Sequence, residues 1–137
     1  MRTAFRLMTG AVLALMAVPA LAGSSAAERG EAKLAKALAG REAGKPVTCL
    51  NLRDIQSTEI FDRTAIVYRT SSNKLYVNRP RIGASSLDKW DVLVSKTYSS
   101  QLCSIDTVRL WDSGSRMETG FVGLGEFVPY TKVADAR

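Results

Sequence analysis

The sequence predicts a mainly β domain: a small antiparallel barrel or sandwich of about six strands with one disulfide, preceded by a short N-terminal helix. Three observations point to it. From Val47 onward, short runs rich in Val, Ile, Thr, Tyr and Phe alternate with clusters of Gly, Asn, Asp, Ser and Pro. The chain has only two cysteines, Cys49 and Cys103, an even pair of the kind that oxidising compartments join. Ahead of the β region, Glu28 to Leu38 is rich in Ala, Lys, Glu and Leu, all good helix formers.

The elements follow in order. Residues 1–22 read as a secretory signal peptide. Arg2 and Arg6 give the positive end, Leu7 to Val18 the apolar stretch, and Ala20-Leu21-Ala22 after Pro19 the small-residue cut site, with cleavage after Ala22. That apolar stretch falls short of the roughly 20 residues a membrane-spanning helix needs. Residues 23–46 read as a linker with a weak helix. Leu34 and Leu38 share one face, Gly40 and Gly44 bracket the end, and Pro46 stops it. A helix this short is marginal unless it docks, so the expectation is loose attachment.

Residues 47–132 form the expected β domain. Its runs are Val47 to Leu50, Ile55 to Phe61, Thr64 to Thr70, Leu75 to Asn78, Val92 toward Tyr98, Asp106 to Trp111, and Glu118 to Val122. Asp62-Arg63, Ser71 to Lys74 and Asp112 to Ser115 supply turn chemistry. Pro80 ends the fourth run, and Arg79 to Ser86 is an irregular loop. Ser85 and Asp88 start a short helical turn through Trp90, and Ser99 to Ser104 is a turn. Trp90 and Trp111 read as core or half-buried strand residues. Gly120, Gly123 and Gly125 read as a bent closing strand where backbones approach closely. A C-terminal tail covers 133–137.

Composition narrows the chemistry. The chain has no His, which removes the usual general base near neutral pH and most zinc sites. No cofactor or metal site is expected. Removing Arg2 and Arg6 from a net charge of +6 leaves the processed chain at about +4, with both signs interspersed. Export argues against nucleic acid as a partner and for a periplasmic or secreted location. Closing the loop between Cys49 and Cys103 is worth on the order of 4 kcal/mol in the chain-entropy model, a large share of the roughly 5–15 kcal/mol a domain holds.

Several motifs recur together: Cys49-x-x-x-Arg53-x-Ile55, Asp62 before a β run, Tyr76-x-Asn78, Leu102-Cys103-x-x-Asp106, and Leu124-Gly125-x-Phe127-x-Pro129. In this order and spacing the chain resembles a family of small exported proteobacterial proteins classified only as a domain of unknown function. The resemblance covers roughly residues 47–130. It implies the β fold and the Cys49–Cys103 bond, and no activity. Members often carry a second cysteine pair, where this chain has Gly83 and Val122.

Two functional readings follow. In the first, the chain is a non-enzymatic binding or interaction module of the cell envelope. Lys74, Tyr76, Asn78, Arg79, Arg81 and Lys89 form its candidate site, because arginines beside an aromatic ring can grip an anionic group. The partner would be an anionic envelope component or another exported protein. In the second, two of Asp54, Glu59, Asp62 and Asp106 converge in a cleft and act as a carboxylate pair in a small hydrolase without histidine. Two Ser-x-x-Lys matches, Ser71 to Lys74 and Ser86 to Lys89, lack the companion motifs of the penicillin-recognising enzymes.

Overall fold

The run Ala65-Ile66-Val67-Tyr68 is apolar at successive positions, so both of its pleat faces need cover. In the computed structural model, which describes residues 24–134, a helix covers one face and further sheet structure covers the other. The expected leader, residues 1–22, and the last three residues of the expected tail lie outside the described residues. The elements are α1 (Ala26–Ala37), β1 (Arg41–Ala43), β2 (Cys49–Asn51), β3 (Ile55–Phe61), β4 (Ala65–Thr70) and β5 (Leu75–Asn78). They continue with β6 (Asp91–Ser95), β7 (Gln101–Cys103), β8 (Thr107–Asp112), β9 (Met117–Gly123) and β10 (Phe127–Lys132). Every strand pair is antiparallel.

The strands form three sheets: β1-β10-β5-β4-β3, β6-β8-β9, and the ribbon β2-β7. The mainly β, antiparallel character, the N-terminal helix and the Cys49–Cys103 bond are all present. Closure into a barrel is not, since the larger sheet ends at β3 and β1 and the smaller at β6 and β9. The strands also exceed the expected six. β1 and β7, three residues each, fall where a linker and a turn were expected, because runs that short show no period.

The larger sheet has two cores. On one face Ile60, Ile66, Tyr68 and Phe127 meet Val108, Leu110 and Val122 of the smaller sheet, with Leu50 and Leu102 from the ribbon and Leu87 and Leu124 from loops. Tyr68 stands edge-on to Phe127 at 5.7 Å between ring centres. On the other face Phe61, Ala65, Val67, Leu75 and Val77 receive Leu34 of α1.

The described part of the expected linker with a weak helix, residues 24–46, is therefore part of the fold. Ser25 caps α1 through a capping box with Glu28. Gly30 is buried against the β3–β4 turn, where any side chain would collide with the Asp62 carbonyl and the Thr64 hydroxyl. The helix docks through one leucine and one missing side chain, a combination that hydrophobic periodicity does not register. β1 then adds to the sheet beside β10.

The Tyr68 hydroxyl is buried and finds no hydrogen-bond partner among the described residues. Desolvation pushes its pKa well up. Tyr68→Phe removes that orphan and is expected to hold or raise stability, by up to about 1–2 kcal/mol in urea unfolding. Leu34→Ala is expected to lose about 2–4 kcal/mol and to reduce helical circular dichroism, which a loosely attached helix would not do.

Candidate functional site

The structure disperses the basic loop predicted to bind. Asn78 is fully buried. Its Nδ2 donates to the Gly125 carbonyl at 2.6 Å, and its Oδ1 accepts from the Gly125 N–H at 3.0 Å. Gly125 itself lies against the Arg79 carbonyl, the close backbone approach expected of the glycine string. Tyr76 is half-buried and packs on the larger core. Arg79 reaches the opposite side of the sheet and forms a two-pronged pair with Glu31 of α1, at 2.6 and 3.1 Å. Arg81 donates through Nε to the Leu124 carbonyl at 2.8 Å and through Nη2 to the Ser104 carbonyl at 2.7 Å. Lys74 sits half-buried just before β5. Lys89 lies over the Trp90 ring at 5.1 Å. Three of the six, Asn78, Arg79 and Arg81, are thus held by side-chain hydrogen bonds to other parts of the chain.

The four carboxylates divide differently. Asp106 accepts the Cys103 N–H at 2.7 Å and closes the turn after β7. Asp54 lines a polar pocket of about 340 Å³ with Thr70, Ser71, Ser72 and Tyr76 beside the disulfide. Glu59 and Asp62 do share a cleft, about 310 Å³, between α1 and β3. Lys33, Lys36 and Lys89 line it too, and Asp62 Oδ1 accepts the Lys89 N–H at 2.8 Å. Among the described residues, no group of three or more His, Cys, Asp or Glu side chains could hold a metal ion.

The most distinctive surface lies elsewhere. In the smaller sheet, Leu93, Val108, Leu110 and Val122 point to the core. Alternation then sends Val92 and Val94 of β6, Arg109 and Trp111 of β8, and Glu118 and Phe121 of β9 to the outer face. Val92, Val94, Trp111 and Phe121 are 51%, 43%, 40% and 54% exposed, where an outward sheet face is ordinarily polar. Register places Val92 opposite Trp111, and Arg109 between Val94 and Phe121. Arg109 pairs with Glu118 at 3.0 Å, leaving one ion pair set among apolar side chains. A hollow of about 330 Å³ on this face is lined by Val94, Lys96, Arg109, Trp111 and Glu118.

Trp90 is 70% exposed. The expectation of a core or half-buried strand residue is corrected for Trp90, which precedes β6 and stands largely in solvent, while Trp111 lies in β8 with 40% of its surface exposed. Trp111 alternates with buried Leu110, and among the described residues no layer covers its side of the sheet. The signal available in the sequence was Val92-Leu93-Val94, apolar on both pleat faces without a second covering element nearby.

No family model matches the chain, and no curated protein or solved structure matches it either. Among the described residues, no helix is long and apolar enough to cross a membrane.

The Arg79–Glu31 pair gives a pH dependence. Its hydrogen bond to Arg79 holds the Glu31 carboxyl below its ordinary value of 4.5. A lowered folded-state pKa contributes stability that is fully present above about 4.5 and is lost as pH falls through the lowered value. Both side chains are about half exposed, so the contribution is under about 1 kcal/mol. The expected outcome is that Glu31→Gln removes part of the acid-side fall in stability while leaving neutral-pH stability within that amount, read by urea unfolding between pH 3 and 7.

Proposed function

We propose that this chain is a non-enzymatic binding module of the cell envelope, exported to the periplasm or beyond, that takes another exported protein on the outer face of the β6-β8-β9 sheet. The observation that carries this reading is the exposed set Val92, Val94, Trp111 and Phe121 on one continuous face. A contiguous apolar patch on a small domain marks an interaction surface, and Trp with Arg is the pairing enriched at binding hot spots. The disulfide fits an oxidising compartment. The same geometry favours a protein partner over an anionic polymer, because Arg79 and Arg81 are committed to Glu31 and to backbone carbonyls.

The test is a pull-down from envelope extract, followed by titration calorimetry with the purified partner. Trp111→Ser and Phe121→Ser are each expected to weaken binding about tenfold or more, with a negative heat-capacity change for the unmodified pair. Unchanged affinity in both variants, or a loss seen only when Arg79 and Arg81 are reversed to Glu, would remove this reading. A second reading, the carboxylate hydrolase, draws on Glu59 and Asp62 lining one cleft. It predicts hydrolysis that Glu59→Gln and Asp62→Asn each abolish, and activity surviving both changes ends it.

A further inference from the structure

The smaller sheet has a free edge whose chemistry is specific. Among the described residues β6 pairs with β8 on one side only, so on the other side the N–H and C=O groups of alternate residues face an open hollow of about 520 Å³ bordered by Thr58, Glu59 and Ile60 of β3. Such groups call for a β-strand. The other edges of the two larger sheets are protected. β3 carries a bulge between Ile55 and Ser57 and polar side chains at Gln56, Ser57, Thr58 and Glu59. β9 is shielded by Ile82, whose backbone exchanges hydrogen bonds with Gly123, and by the 3₁₀ turn Ala84–Ser86. β1 is three residues long, two of them charged. β6, by contrast, is five residues without bulge, proline or lysine inside it.

We infer that β6 is a self-association edge, and that its occupant is β6 of a second copy of this chain, paired antiparallel about a two-fold axis at Leu93. The sequence around Leu93 is self-complementary. In that register Leu93 faces Leu93, Val92 faces Val94, Asp91 faces Ser95, and Trp90 faces Lys96. Apolar meets apolar, the lysine meets an aromatic ring, and no like charges stand opposite each other. Sliding by one pair in either direction sets Asp91 against Leu93 or Val92 against Lys96. The result is a six-stranded sheet in which the exposed faces of both copies become one surface of twice the width. The inference stands apart from the partner reading, which needs only one copy of the face.

Sedimentation velocity of the processed chain up to about 1 mM is expected to show a weak monomer–dimer equilibrium, since edge pairing buries less than the standard interface area. Both native cysteines are joined, so an added cysteine is the sole thiol. Under mild oxidation Leu93→Cys is expected to give a covalent dimer, while Val92→Cys and Val94→Cys are not. Val94→Lys is expected to weaken association about tenfold or more, and Trp111→Ser to leave it unchanged. Should Val94→Lys fail to fold, the cysteine scan reads the same contact. A chain that stays monomeric throughout, or cross-links through position 92 or 94 in place of 93, overturns the inference. So does a dimer that Trp111→Ser abolishes and Val94→Lys leaves intact, which would mean face-to-face packing. None of these outcomes bears on partner binding by the Trp111 face, which the calorimetric variants test separately.

Discussion

Cover on both faces of the five-stranded sheet is the constraint from which the other features follow. Ile66 and Tyr68 point one way from β4 and Ala65 and Val67 the other, so the strand is stable only with structure on each side. Leu34 and the rest of α1 meet one demand, and the β6-β8-β9 sheet meets the other. Among the described residues no third layer lies over the smaller sheet. Its outer face is left open as a direct consequence, and Trp111 and Phe121 lie on it.

The same constraint explains the fate of the basic loop. A helix held chiefly by one buried leucine gains from a second attachment, and Arg79 provides it through Glu31. The loop after β5 must also be held to the segment before β10. Asn78 does this through both polar atoms of its amide, and Arg81 adds contacts to the Leu124 and Ser104 carbonyls. In a small domain with little core to share, polar side chains that look like ligand-binding groups in the sequence become internal fasteners. Arg81 is the plainest case: exposed by area, yet already donating to two main-chain oxygens.

Legibility in the sequence followed element length. β3, β4 and β5 were readable because alternation and turn residues bound them clearly, and the two-sided burial of β4 was visible in Ile66, Tyr68 and Val67. The disulfide followed from cysteine count. β1, β2 and β7 were harder, since three-residue strands are defined by their partners more than by their own side chains. Docking of α1 was hidden because Gly30 acts by having no side chain. The candidate site was largely illegible. Val92-Leu93-Val94 showed apolar residues on both pleat faces, but which of Val92, Val94, Trp111 and Phe121 faces water depends on what covers them, and that is set by distant parts of the chain.

The joined cysteines occupy directly opposed positions in β2 and β7, one residue before Leu50 and one after Leu102, the pair that enters the core. A slip of one residue between these strands would put the two leucines on opposite faces and turn one of them away from the core, so the bond acts as an alignment pin as well as a loop closure. With only two thiols in the chain, oxidation within one molecule has a single product. Maturation of this domain therefore needs an oxidant but no isomerase to correct mispaired cysteines.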